Sequence, residues 1–517
     1  MLQYPMTAPL HTHKDLRTLL LCALYAFVLL FFLSLDSYLY DLFYRTDSAV
    51  FFMCGKAWMN GLTPYADFAD SKGPLLWLIY GIGYLLNHHS FVGVFWMSVI
   101  FYTATLFCAY KLCRLYLDAR LSAVCVAALP FALFLHWVNM ETGSEDFCYT
   151  FVMYSLYALC RVIKDETISK RTFFWLSVGM GISFMSCLLI KWNIGCMIGG
   201  IMLMTFILSF KRKAWALCLG GMVAGAAVIG LPFLIYFLAF ADFGAMIDEY
   251  FVNTYLSMHG RTNIMDTFTF DLAMIDREKF VLVLLVGMLL FTWRHKRYFW
   301  LLLCFLIFRV GLGSGHNGYF SILMPYAVFF LIIIVGFIFR KLPRLQRFVP
   351  LWCVLLAVFS IGSNYYFWCR VNDDHETTLA KREEFYKAAY VMSQVEKAKT
   401  FWVPSYECGL GAAVDALPAC RYWTHQHGAT EEMLMAREKA LEAKLPDFIL
   451  LVTREGRDNL DEHAKYVALG YVQYYWFEQF YGDMNFALYG RPGLQLPPKD
   501  FHVSQWDIWL KRNIFGI

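Results

Sequence analysis

Apolar residues in this chain fall in long runs separated by short clusters of charge. The runs lie near 19–35, 91–112, 121–138, 147–159, 173–190, 194–210, 214–240, 280–293, 298–312, 319–339 and 349–368. Many hold about 17 residues or more, enough for a helix rising ~1.5 Å per residue to cross a hydrocarbon layer roughly 30 Å thick. The pattern predicts about eleven membrane-spanning helices. One further run, 74–86, is apolar but short and follows a polar stretch with Gly and Pro, so it either crosses or lies along the surface.

Beyond residue 368 the pattern changes. Helical patches at 379–397 and 431–444 alternate with strand-like runs at 401–403, 448–452, 471–477 and 486–489, which predicts a small soluble α/β domain. The expected fold is therefore an α-helical polytopic membrane protein, residues 1–368, with a long first outer loop (36–90) and a C-terminal α/β domain, residues 369–517.

Composition agrees with the pattern. Hydrophobic residues make up 59% and charged residues 16% of the chain, against about 45–50% and 25% in soluble domains, which excludes an ordinary soluble globule. The first run follows Lys14 and Arg17, but Asp36-Ser37-Tyr38 offers no small-residue cleavage site, so it reads as an uncleaved span. A net charge of +4 without a basic, aromatic-interleaved tract gives no sign of nucleic-acid binding. The fifteen cysteines lie mostly inside apolar runs, where a thiol behaves as a small hydrophobe, and no CxxC or Cys/His spacing indicates a metal. Cys408 and Cys420 in the C-terminal part leave a disulfide open.

The placement of Lys and Arg decides the topology. If 74–86 stays outside, the clusters around Lys14/Arg17, Lys111/Arg114/Arg120, Arg161/Lys164/Lys170/Arg171, Lys211/Arg212/Lys213, Arg294/Lys296/Arg297 and Arg340/Lys341/Arg344/Arg347 all face the cytoplasm. If it crosses, the later clusters move outside. The expectation is a cytoplasmic N-terminus, a juxtamembrane helix at 74–86 and an external C-terminal domain.

With that topology, chemistry-bearing residues collect on the outer loops. The first loop carries Asp47 and then Gly61-Leu62-Thr63-Pro64-Tyr65-Ala66-Asp67-Phe68-Ala69-Asp70-Ser71-Lys72-Gly73-Pro74. Loops longer than about 12 residues in compact proteins are usually functional or disordered, and the aromatic content argues against disorder. Asp47 could equally be a helix cap. Glu141 stands in an acidic second connection, whose Glu145 and Asp146 are explained by the dipole of the helix they begin. Lys191 separates two apolar runs, where a cation is costly unless it snorkels or has an anionic partner. Arg309, His316 and Tyr319 lie in or beside a glycine-rich connection, and 241–279 is long enough to cover a site. Carboxylates can deprotonate an acceptor hydroxyl, and cations can stabilise charge on a departing phosphate.

These residues resemble the polyprenyl-phosphate-sugar-dependent glycosyltransferases of the GT-C fold, which include bacterial aminoarabinose transferases of lipid A, protein O-mannosyltransferases and lipopolysaccharide glycosyltransferases. The resemblance rests on Asp47, the Gly61 to Leu75 string, the Glu141 loop, Lys191, and His316, Tyr319 and Pro325. It implies Asp47 as the catalytic base, or as the group that orients the acceptor, in an inverting displacement, with Glu141 as another acid. Lys72 would contact the carrier phosphate, and Asp67, Asp70, Lys191, Arg309, His316 and Tyr319 would bind substrate.

The implied partners are a polyprenyl-phosphate-linked sugar donor, membrane lipids and a lipid, glycan or protein acceptor. The implied location is the bacterial inner membrane with the site on the periplasmic face of the cell envelope. No cofactor is demanded, although clustered acids leave a divalent metal open. Lys-Gly-Pro stands where some aminoarabinose transferases have Lys-Pro-Pro, which leaves the acceptor class open. Two other readings stand beside this one: a transporter or lipid flippase, which would hold its polar site near the midplane, and an assembly protein using the C-terminal domain as its module.

Overall fold

The computed structural model describes residues 12–38, 47–88, 90–133, 142–255, 279–294, 324–371, 388–389, 392, 395, 400–404, 409–424, 430–454, 460–481 and 484–495. The apolar runs become helices: α1 (Thr12–Leu33), α4 (Val92–Cys113), α5 (Ala119–Leu133), α6 (Ser144–Lys164), α7 (Lys170–Ile190), α8 (Trp192–Lys211), α9 (Trp215–Ala239), α11 (Lys279–Arg294), α12 (Ala327–Lys341) and α13 (Val349–Val371). Seven helices among the described residues are long and apolar enough to cross a membrane. The expected span at 298–312 and most of the helical patch at 379–397 lie outside the described residues.

Two helices of the first loop, α2 (Asp47–Met59) and α3 (Pro74–Leu86), do not continue the up-and-down course. Gly73, just ahead of α3, lies against the last turn of α7, its amide donating to Ile190 O at 3.1 Å. Near the other end of α3, Gly83 meets Gly93 at the start of α4, so close that a Cβ on Gly93 would stand 1.8 Å from Gly83 O. Both ends of α3 thus touch helix termini at one end of the bundle, so it lies across that end as a juxtamembrane helix would. α2, which precedes it, is buried all round from Ser48 to Ala57. α2 and α3 cross where Gly55 faces Gly81, and a Cβ on Gly55 would stand 2.5 Å from Gly81 N.

After α9 come a four-residue helix, α10 (Phe243–Met246), and a π-helical turn, Ile247–Asn253. Such i→i+5 turns occur frequently at functional sites. The C-terminal part contains β1 (Thr400–Trp402), α14 (Leu410–Ala413), β2 (Leu417–Pro418), α15 (Glu431–Glu442), β3 (Phe448–Arg454), α16 (Leu460–Ala468), β4 (Val472–Tyr481) and β5 (Met484–Gly490). The five strands form one sheet in the order β2-β1-β3-β5-β4. β1 pairs parallel with β2 and β3, and β5 pairs antiparallel with β3 and β4. The four strand-like runs of the sequence are β1, β3, β4 and β5, whereas the short β2 and α16 carried no clear pattern. Cys408 lies outside the described residues, so the pairing with Cys420 does too.

The basic clusters that are described gather at the end of the bundle opposite α3. Lys111 of α4 reaches Asp15 of α1 at 2.8 Å. Arg212, just past α8, donates to Glu166 O at 3.3 Å and to Val162 O near the end of α6. Lys164 stands 5.1 Å from the Tyr116 ring centroid.

Candidate functional site

The site grows from the turn between α2 and α3. Tyr65 adopts φ 64°, a region non-glycine residues seldom occupy and one that costs about 1–3 kcal/mol unless its surroundings hold it. Here they do. Tyr65 N donates to Phe68 O at 2.7 Å, its hydroxyl donates to Lys72 O at 2.8 Å, and its ring packs 4.6 Å from Trp77. Asp67 is exposed and closes the same turn, its Oδ2 accepting Thr63 N at 2.7 Å. The strained turn aims the next residues, Asp70 to Gly73, across the end of α7.

Asp70 is 9% exposed, and its Oδ2 has no hydrogen-bond partner among the described residues. Burial pushes its carboxyl above the ordinary aspartate range; the Lys72 charge opposes this and the Asp47 charge adds to it. Asp47, exposed at the first position of α2, therefore shares Asp70's electrostatic neighbourhood. The Lys72 ammonium stands 5.4 Å from the Phe51 ring centroid and 3.4 Å from Ser71 Oγ. Gly73 can be no other residue without movement, because its Cβ would stand 2.0 Å from Leu189 O.

The second and third connections bring in an ion pair. Lys191 is extended (φ −153°, ψ 102°) and serves as the last cap of α7 and the first of α8. Its ammonium is bonded to Glu145 Oε1, with the two side chains 13% and 16% exposed. Glu145 also accepts from Ser144 Oγ at 2.7 Å and feels the Lys72 charge. The capping function falls to its neighbour Asp146, whose Oδ2 accepts Gly143 N at 2.8 Å and whose Oδ1 accepts Tyr102 OH at 3.0 Å. Asp47 with Asp70, Asp70 with Lys72, Lys72 with Glu145 and Glu145 with Lys191 are thus successive neighbours in charge at one end of the bundle. Such a chain can hold an anion beside a carboxylate able to take a proton.

The C-terminal part reaches the same place. Lys56, 1% exposed inside α2, donates to Gly411 O at 3.0 Å and to Val414 O. Burial lowers its ammonium to about 8, with Asp415 opposing the shift. Ala69 N donates to Arg421 O at 2.8 Å, and Arg421 Nη2 pairs with Glu249 Oε1 of the π-helical turn at 2.7 Å. Tyr422 OH donates to that same oxygen.

Of the residues expected from sequence, the structure brings together Asp47, Asp70, Lys72 and Lys191, while Asp67 is occupied in the turn. Glu141, Arg309, His316 and Tyr319 lie outside the described residues. Sequence reasoning took Glu145 as a dipole partner and missed Lys56 and Arg421, while Glu249 lies in the 241–279 stretch read there as a cover over the site. A lysine inside the apolar stretch Asp47–Met59 was a signal for Lys56; nothing local marked Arg421. Among the described residues, no group of three or more His, Cys, Asp or Glu is placed to hold a metal ion.

A family model described as dolichyl-phosphate-mannose-protein mannosyltransferase matches residues 71–236, which run from Ser71 beside Lys72 to α9. The fold is that of ArnT from Cupriavidus metallidurans bound to undecaprenyl phosphate, at a TM-score of 0.58 and 12% identity, covering 95% of this chain and 100% of that one. The apo state of ArnT matches at 0.54 and 11%, over 92% and 98%. The Archaeoglobus fulgidus oligosaccharyltransferase, tethered with an acceptor peptide containing the NVT sequon, matches at 0.50 and 13%, over 96% and 75%. No curated protein matches the chain by sequence. These likenesses establish the expected architecture, a polytopic helical protein of GT-C fold with a small sheet in its C-terminal part.

Proposed function

We propose that this protein is an inverting membrane glycosyltransferase that takes a sugar from a polyprenyl-phosphate carrier. The observation that carries the reading is the Asp47, Asp70, Lys72, Glu145, Lys191 chain at one end of a GT-C fold. In this reading, Asp47 takes the proton of an acceptor hydroxyl or amine. The new bond forms at the anomeric carbon as its bond to the phosphate oxygen breaks, and the electron pair leaves on the phosphate. Lys72 meets that growing charge, with Lys191 linked to it through Glu145, and Asp70 orients the sugar or acceptor. Glu141, Arg309, His316, Tyr319 and Asp67 would complete the substrate surface. A phosphate-linked sugar already carries a good leaving group, so positioning, one base and cations suffice without a cofactor.

The undecaprenyl phosphate bound by ArnT supports this choice of carrier. The acceptor is a lipid, glycan or protein of the cell envelope. The protein would sit in the bacterial inner membrane as a transmembrane domain, 1–368, and an external domain, 369–517, with the site on the periplasmic side. The test is incubation of purified protein with isotope-labelled polyprenyl-phosphate sugars and cell-envelope fractions, including lipopolysaccharide, followed by identification of the labelled product. Failure to transfer label from any such donor would overturn the reading. An inactive alkaline-phosphatase fusion after Ile517, paired with an active cytoplasmic reporter there, would overturn the orientation.

A further inference from the structure

The tripeptide Asp70-Ser71-Lys72 is held at both ends by elements far away in sequence. On its N-terminal side, Ala69 N is bonded to Arg421 O at 2.8 Å, in a segment of the C-terminal part. On its C-terminal side, Gly73 N is bonded to Ile190 O at 3.1 Å, and Gly73 lies so close to Tyr250 that a Cβ would stand 2.9 Å from Tyr250 Cζ. One turn of chain joins the two supports. Tyr250 is fully buried and donates its hydroxyl to Leu188 O at 2.7 Å, while Glu249 before it receives both Arg421 Nη2 and Tyr422 OH. Asn253 Nδ2, one turn on, donates to Glu249 Oε2 at 3.2 Å. Glu249 is 7% exposed, and among the described residues these donors balance its charge.

We infer that Glu249 and Arg421 are positioning residues, a clasp by which the C-terminal part sets the register of Asp70 and Lys72 for the transfer proposed above. The inference rests on that transfer reading for its catalytic consequence, not for the clasp itself. A bracket of this kind makes the C-terminal part a component of the site rather than an appended module. Tyr65, whose hydroxyl holds Lys72 O, also lies in the field of Asp70, Tyr250 and Glu249, so the bracket and the strained turn are one network. Displacing a positioned group by about 1 Å can cost roughly 10²-fold in rate, so loosening one of two supports should cost less than that, about tenfold.

The test uses the full chain carrying Ser71→Cys as a reporter, with Arg421→Ala, Arg421→Lys or Glu249→Gln added. Two quantities are read: the rate of maleimide addition at position 71, followed by mass spectrometry, and turnover with a labelled polyprenyl-phosphate sugar. Arg421→Ala should raise labelling several-fold and lower kcat about tenfold; Arg421→Lys, which keeps the charge, should recover part of both. Glu249→Gln, which keeps the shape, stands in if Arg421→Ala does not fold, with the same directions and smaller size. Labelling and turnover both within twofold of the reporter chain would overturn the clasp, and so would a change in one without the other. If the unsubstituted chain transfers no sugar, the transferase reading fails, and the labelling rates alone decide whether the clasp exists.

Discussion

At the α3 end of the helix bundle, charges are matched to one another across long stretches of chain; at the opposite end they are matched mostly to helix carbonyls and solvent. Lys191 with Glu145 and Arg421 with Glu249 belong to the first kind, and at the same end the buried Lys56 reaches the carbonyls of Gly411 and Val414 in the C-terminal part. Arg212 on Val162 O and Glu166 O, Arg114 donating to Leu117 O at 3.0 Å, and the exposed Arg340, Lys341, Arg344 and Arg347 belong to the second. Lys111 and Asp15, paired between helices at the basic end, are each about a quarter exposed. Cations at helix C-termini are stabilised by the dipole and by water, so they need no dedicated partner. Buried charges do need one, and the work of supplying it at the α3 end has drawn four separate connections and the C-terminal part together.

The comparison can be broken by substitution, beginning with the largest effect. Asp47→Asn should lower turnover by about 10²–10⁴, the usual cost of removing a general base, and leave carrier binding nearly unchanged because the amide keeps the shape. Labelled-sugar transfer and carrier binding in nanodiscs measure the two separately. Near-normal turnover would remove Asp47 from the base role.

Lys191→Ala leaves Glu145 buried without its cation and should destabilise the fold by roughly 3–5 kcal/mol. The double substitution Lys191→Met with Glu145→Gln should recover much of that, since neither charge remains. Thermal unfolding in detergent reads both. Equal losses in the single and double variants would mean that the pair contributes through packing alone.

Gly73→Ala forces a methyl toward Leu189 O, at 2.0 Å in the unrelaxed backbone, and should cost about 1–3 kcal/mol as an overpacked site. Turnover should fall with it, because Lys72 is the preceding residue. An unchanged melting temperature would show that α3 and α7 slide apart freely there.

Lys56 gives the pH dependence. Its folded value is depressed to about 8 from 10.5, so between those values the unfolded chain holds more protons than the folded one, and stability rises with pH across that window. The slope approaches about 1.4 kcal/mol per pH unit above the folded value. Lys56→Met should abolish this rise between pH 8 and 9.5. The smallest effect is expected at the basic end, where Arg212→Gln should change stability by no more than about 0.5 kcal/mol. A loss as large as that of Lys191→Ala would erase the distinction between the two ends.

Much of the architecture was legible because it follows from local pattern. Helix positions came from apolar runs, and the four main strands came from short β-rich runs between polar breaks. The grouping of Lys and Arg also separated the two ends, since basic clusters alternate with acid-bearing loops along the chain. At Lys191 the sequence raised the right question, snorkelling or an anionic partner, but could not name Glu145, 46 residues away. The dipole argument covered both Glu145 and Asp146: Asp146 performs the capping, while Glu145, in the same first turn, is drawn to Lys191.

What the sequence determined by itself is a membrane-embedded helical chain with an α/β tail and a first loop that carries acids, two lysines and glycines. Those are consequences of periodicity and of the cost of charge in hydrocarbon, both read within a window of a few turns. Tertiary structure decided which charges meet. Lys56 finds Val414 at a separation of 358 residues and Arg421 finds Glu249 at 172, pairings that depend on how the tail settles on α2, α3 and the π-helical turn. No local pattern encodes such a contact, because its energy comes from burying two distant surfaces together.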